Sequence, residues 1–252
     1  MPKLSAAIRK RNLQNENPMR DTKLICVEGL PGLGKTTTAS WLTARLRAEG
    51  ATVNLLPEAQ PGHPINVGGD LFPAGDTAGE AFFQCYTPAS FIAESLEKWA
   101  AFVRAATEAD ALTVLDSYPF QNSVRVLLQL DATLDQMREY MERVEALTRP
   151  LQPALVYLSH QDAAHVVRQF SDISVQRGAR WTEYVVTLIT GCPYARSRQY
   201  AGFSGVLAFL SDYKALTDGL LCRSSWPRVV LKNCAGDWAG CYGQIAAFLG
   251  LV

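Results

Sequence analysis

The chain has 252 residues, with 24 Lys+Arg against 24 Asp+Glu, so its formal net charge is zero and its pI is about 6.8. That balance argues against nucleic acid or anionic lipid held by bulk surface charge. Hydrophobic residues make up 48% and charged residues 19%, too apolar for a disordered chain, and the length suffices for one large α/β domain with a sizeable core.

No apolar run approaches the ~18 residues of a membrane helix, and the N-terminus has no signal-type segment. The expectation is a cytoplasmic protein without a membrane partner. Six cysteines (26, 85, 192, 222, 234, 241) show no C-x-x-C spacing, and most sit in apolar stretches. That predicts free buried thiols in a reducing compartment.

Residues 1–22 are polar and carry five basic side chains, which predicts a solvated tail. A single domain is expected over 23–252. Leu24–Glu28 reads as a buried strand bounded by Gly29, followed by the glycine-rich GLPGLGKTTT and a helix over Thr37–Ala48 that stops at Gly50. Ala51–Leu56 reads as a second strand, broken by Pro57. Residues 61–80 are rich in Gly and Pro and predict a long functional loop. Thr87-Pro88 opens a helix reaching about Glu108, with Phe91, Leu96, Trp99 and Val103 near one face.

Ala111–Leu115 reads as a third strand ending at Asp116. Helices are expected over Ser123–Leu130 and Thr133–Leu147, a fourth strand over Ala154–Leu158 and a helix over Asp162–Phe170. An arginine-rich stretch follows, then a helix over Phe203–Leu221, a fifth strand at Val229–Leu231 and a last helix from Asp237-Trp238 to Phe248. Alternating strands and helices predict a parallel sheet covered on both faces, with right-handed crossovers.

Gly29-Leu30-Pro31-Gly32-Leu33-Gly34-Lys35-Thr36 fits G-x-x-x-x-G-K-[ST], with a strand before it and a helix after it. Glycines let successive N–H groups turn inward around a phosphate, and the helix start adds partial positive charge. Lys35 then reaches the β- and γ-phosphates, and the Thr36 hydroxyl can ligate Mg²⁺. Thr37 extends the loop's contact with the nucleotide.

Two carboxylates stand on the edge that a parallel sheet presents to its ligand. Asp116 is placed to hold Mg²⁺ or its water shell. Glu58, just past the second strand, is placed to take a proton from an acceptor hydroxyl. Glu28 either supports the metal from behind or holds loop backbone. His63 lies in the long loop within reach of a substrate, whereas His160 and His165 read as surface residues. Arg168, Arg177 and Arg180, with Gly178 as a hinge between the last two, fit a segment that closes over transferring phosphoryl oxygens.

VEGLPGLGKTT resembles the opening of thymidylate kinases and deoxynucleoside kinases, which also carry Glu directly before the loop glycine. LLPEAQPGHP is similar to the deoxynucleoside-kinase segment whose Glu acts as base on a 5′-hydroxyl, a role that maps to Glu58. ALTVLDSY lies where those families have an Asp-Arg or Glu-Arg pair. QPALVYLSHQDAAHVVRQFSDISVQRGARW resembles their strand four, helix and lid, here about 168–200, and VVLKNCAGDW resembles the loop that packs against adenine. The resemblance covers about 23–249 and implies a three-layer P-loop NTPase fold with a five-stranded, mainly parallel sheet. It further implies an ATP- and Mg²⁺-dependent kinase acting on a small molecule, and a homodimer is compatible with it.

One position departs from the pattern: Ser117 replaces the arginine of that pair, which favours a hydroxyl acceptor over a nucleoside monophosphate. The sequence offers a rival in Asp76-Thr-Ala-Gly79-Glu80, which resembles the D-x-x-G switch of small GTPases. However, no apolar strand precedes it, and the guanine-reading N-K-x-D is missing.

Overall fold

Strand β1 (Leu24–Gly29) is buried at every position, as a run of Leu, Ile, Cys and Val must be when both its neighbours in a sheet are occupied. The computed structural model describes residues 21–68, 78–160 and 163–251. In it β1 lies at the centre of a five-stranded sheet with β2 (Val53–Leu56), β3 (Leu112–Asp116), β4 (Ala154–Ser159) and β5 (Arg228–Lys232). The order is β2-β3-β1-β4-β5, and all four pairings are parallel. The layers and strand order make this a three-layer α/β fold of the P-loop NTPase type.

Handedness assigns the faces. The crossover from β1 to β2 runs one way along the sheet, and those from β2 to β3, β3 to β4 and β4 to β5 run the other. Right-handed connections then put α1 (Lys35–Ala48) on one face and α3 (Pro88–Glu108), α5 (Leu134–Thr148) and α9 (Gly202–Arg223) on the opposite one. The last helix, α10 (Trp238–Leu249), rejoins α1, and Trp41 stacks on Tyr242 at 4.1 Å between centroids. On the other face Trp99 Nε1 donates to Tyr140 Oη at 3.2 Å, tying α3 to α5, and Tyr157 Oη of β4 donates to Thr217 of α9 at 3.1 Å.

Caps agree with the sequence. Thr87 and Thr133 each close a capping box at the start of α3 and α5, and the Asp237 side chain accepts from Gly240 N–H at the start of α10.

Several elements differ from expectation. Helix α2 (Ala78–Cys85) occupies the end of what reads as loop in the sequence, because Phe82 packs against Tyr86 and Phe91. The first part of the D-x-x-G resemblance, Asp76 and Thr77, lies outside the described residues, and the remainder begins that helix rather than following a strand. After β3 the chain makes a π-helical turn, Phe120–Val124, before the short α4 (Arg125–Gln129). The helix expected to end at Phe170 continues to Arg177 as α6 (Ala163–Arg177). Gly178, at φ 87°, separates it from α7 (Ala179–Thr190), which is followed by α8 (Pro193–Ser197). Most of the expected tail lies outside the described residues.

The cysteine expectation is overturned for one pair. Cys234 and Cys241 form a disulfide with Cα atoms 5.9 Å apart, while Cys26 and Cys192 are free and buried and Cys85 and Cys222 are free and exposed. The turn after β5 folds back on itself, with Asp237 N–H donating to Cys234 O and Cys241 N–H donating to Asp237 O. A separation of seven residues hides this in the sequence. With one pair oxidised, the cysteines do not point to a reducing compartment. Among the described residues no helix is long and apolar enough to cross a membrane.

Reduction has a calculable cost. Opening a loop this short should remove about 2 kcal/mol of unfolded-chain restriction, so dithiothreitol should lower the melting temperature by about 4–8 °C. An unchanged melting curve would show that the bond contributes nothing.

Candidate active site

Parallel register aligns the strand ends. Val27 pairs with Asp116 and Leu56 with Leu115, so Gly29, Asp116 and the residues just past Leu56 emerge on one edge of the sheet. The Gly29–Thr36 loop turns at this edge. Gly29, Gly32 and Gly34 all have positive φ (144°, 85° and 89°), the left-handed region that side chains resist. A Cβ on Gly29 would collide with the Leu158 carbonyl, one on Gly32 with Ile173, and one on Gly34 with the Trp238 ring. The loop is thus packed from outside by β4, α6 and α10. Gly34 is the N-cap of α1 and supplies no side-chain cap, which leaves first-turn amides for a ligand.

Lys35 is buried, and its Nζ donates to Leu30 O across the loop at 3.1 Å. Burial lowers its pKa, while the carboxylates of Glu58, Glu28 and Asp116 pull it back up. Thr36 Oγ1 donates to Asp116 Oδ2 at 2.7 Å, and Ser117 Oγ donates to Asp116 Oδ1 at 2.9 Å. Burial raises the Asp116 pKa against those two hydrogen bonds and Lys35. A hydroxyl and a carboxylate joined beside a glycine cradle and a lysine are the hard oxygen donors that a phosphate-bound Mg²⁺ takes, with water and phosphate oxygens completing its shell. These residues fit Mg²⁺ and a nucleotide polyphosphate. Leu30, Leu33 and Pro31 shape the loop, and Thr36 and Thr37 are exposed at its exit.

The structure settles what Glu28 does. Its Oε1 accepts from Phe120 N–H at 2.5 Å and Gln121 N–H at 3.3 Å, and its Oε2 accepts from Gly29 N–H at 3.3 Å. It clamps the turn after β3 to the start of the loop. Burial pushes its carboxyl up to about 8, against the opposing pull of Lys35 and the three amides. Because this folded-state pKa is raised, the stability it contributes is present at low pH and is lost as pH rises towards about 8. Ionised Glu28 also adds negative charge beside the phosphate loop, so ATP affinity should fall between pH 7 and pH 9. Calorimetry at both pH values checks this. A Glu28→Gln variant with the same fall as the parent chain would assign the effect to Lys35 instead.

Glu58 is half-buried beyond β2, and its Oε1 accepts from Gln121 Nε2 at 2.6 Å. Its charge bears on Lys35, Asp116, His63 and Tyr118, so one acid looks into both the phosphate loop and the 61–68 segment. His63 is buried, stacks on Tyr118 with centroids 4.5 Å apart, and accepts the Ile65 N–H at Nδ1. Burial lowers its pKa to about 4, with Glu58 opposing.

The lid candidates divide. Arg177 ends α6 and Arg180 opens α7 on either side of Gly178, and both are exposed. Arg168 lies on α6. The same helix reaches the phosphate loop through Gln169, whose Nε2 donates to Gly32 O at 2.7 Å. Gln121, Gln169 and Trp238 were not visible as site residues in the sequence. Trp238 had a signal, being in the segment that resembles an adenine loop; Gln121 and Gln169 had none, since only the fold brings them to Glu58 and Gly32.

Sheet order and the glycine cradle define a P-loop NTPase-type fold, with Lys35, Thr36 and Asp116 gathered at its loop. No protein-family model matches the chain, and no curated protein matches it in sequence. Among solved structures it is similar to EHV4-TK, a herpesvirus thymidine kinase crystallised with TP4A, at 12% identity and a TM-score of 0.38. That match covers 91% of this chain and 90% of the other.

Proposed function

We propose that the chain transfers the γ-phosphoryl group of ATP to a hydroxyl of a small-molecule acceptor. One observation carries the reading: Glu58, held by Gln121 at 2.6 Å, shares a sheet edge and an electrostatic field with Lys35 of the phosphate loop. A loop that holds a polyphosphate needs no such carboxylate for binding alone, but a hydroxyl attacking phosphorus must shed a proton.

In this reading the 29–36 backbone and Lys35 hold the β- and γ-phosphates, and Thr36 and Asp116 hold Mg²⁺. When bound, Mg²⁺ neutralises phosphate charge and orients the donor. Glu58 accepts the acceptor's proton. The α6–α7 hairpin, with Arg168, Arg177 and Arg180, is the segment proposed to close and exclude water. The loop after β5, with Trp238 against Gly34, is the side proposed to face adenine.

The test is acceptor dependence. With ATP and Mg²⁺, ADP formation should be slow alone and rise when a hydroxyl acceptor is added, with the phosphoryl group recovered on that acceptor. ADP formation that no acceptor accelerates, with phosphate as the product, would replace this reading with a nucleotide hydrolase.

A further inference from the structure

Two buried side chains near Glu58, Gln121 bonded to it and His63 within its field, keep polar atoms that have no partner among the described residues. Gln121 is 8% exposed, and its Oε1 is buried without a hydrogen bond. Its orientation is fixed, because a carboxylate only accepts and Glu58 therefore faces the amide's Nε2. His63 is 4% exposed, and its Nε2 is likewise buried without a partner. Since His63 Nδ1 accepts the Ile65 N–H, the ring proton sits on Nε2 and makes that atom a donor. A buried polar group left unpaired destabilises the fold, and a ligand making these bonds removes that cost.

The pattern has a chemical meaning. Glu58 Oε2 and Gln121 Oε1 are two neighbouring acceptors, and they repel a phosphate dianion, which offers only acceptors. They suit a molecule with two O–H donors close together, and the His63 Nε2–H then donates to one of its oxygens. We propose that Glu58, Gln121 and His63 form an acceptor subsite for a neutral 1,2- or 1,3-diol, with Gln121 reading the hydroxyl next to the one phosphorylated. The inference rests on the phosphotransfer reading above.

In the step itself, the reacting oxygen bonds to the γ-phosphorus as the bond from that phosphorus to the β,γ-bridging oxygen breaks. ADP leaves with the electron pair, and the hydroxyl proton passes to Glu58. The second hydroxyl stays intact and donates to Gln121 Oε1.

The test offers the chain, with ATP and Mg²⁺, three neutral compounds that carry one such diol at the reacting hydroxyl: thymidine, cytidine and 1,3-propanediol. Each is paired with its analogue lacking the neighbouring hydroxyl, and thymidine 5′-monophosphate is the phosphate acceptor. At least one diol should be phosphorylated, with kcat/KM at least about tenfold above its analogue, since a buried acceptor left unpaired penalises the analogue. In Gln121→Met that preference should collapse to within about twofold while ATP affinity holds. Gln121→Leu serves if the methionine variant does not fold.

Equal rates on diol and analogue, preference for the monophosphate, transfer to none of the diols, or an undiminished preference in the Gln121 variant would each overturn the subsite. ATP calorimetry on the parent chain runs alongside. Loss of the phosphotransfer reading would appear as absent ATP binding, or as ADP formation that no acceptor accelerates with phosphate as the product, whereas loss of the subsite alone leaves ATP binding and acceptor-dependent transfer intact.

Discussion

Glu58→Gln should depress acceptor-dependent turnover by on the order of 10²–10⁴-fold, the usual worth of a positioned general base, while ATP affinity changes by a few-fold at most. The two effects separate because of where Glu58 sits. Among the described residues it is Gln121, and not the phosphate loop, that hydrogen-bonds Glu58. The substituted amide keeps the size of the side chain and can still accept from Gln121, so the local fold should persist. What disappears is the basic oxygen and one negative charge. That charge supports the protonated form of Lys35, so a small fall in ATP affinity is expected. Turnover and calorimetric affinity should be measured on the same preparation. Turnover within a few-fold of the parent chain would make Glu58 an ordinary half-buried acid.

The fold was readable because its signals are local. Strands β1, β2 and β3 are short apolar runs closed by Gly29, Pro57 and Asp116, and helices α3, α5 and α10 carry their own caps at Thr87, Thr133 and Asp237. The phosphate loop was readable for the same reason, since its function requires those residues consecutively. What stayed hidden is long-range. Nothing near Gln121 in PFQN marks it. It meets Glu58 from 63 positions away because β3 pairs with β2 and the chain then makes a π-helical turn. Helix α2 was hidden because Gly, Pro and Asp dominate the stretch before it, while its own apolar face is read only against Phe91.

Glu28 shows how the fold resolves what a sequence leaves double. A carboxylate just before the loop is compatible with metal support or with holding backbone, and residue type cannot separate the two. Parallel pairing with β4 at Tyr157 turns its side chain under Phe120 and Gln121, where it takes their amides. Glu28 and Glu58 thus hold Gln121 from both ends, one by its backbone N–H and the other by its side-chain amide. The turn after β3 is therefore a built part of the site, although it carries none of the residues that the motif names.

Lys35→Ala should weaken ATP binding at least about tenfold, because a charge-assisted contact with phosphate is worth roughly 1.5–3 kcal/mol. In the folded chain Lys35 is already desolvated, and its ammonium is held towards the loop by the Leu30 carbonyl. The desolvation of that charge has therefore been met before a phosphate arrives, which is why the contact should lie at the strong end of that range. The effect on the fold runs the other way. Removing a buried cation relieves its desolvation but leaves Glu28, Glu58 and Asp116 without it, and Glu28 answers by holding its proton more firmly. The melting temperature should therefore move little while affinity collapses, and Lys35→Met, which keeps most of the volume, should behave alike. Calorimetric titration with ATP and Mg²⁺, beside thermal melts of both variants, reads the two quantities separately. Unchanged affinity in a folded Lys35→Ala variant would remove the phosphate loop from the site.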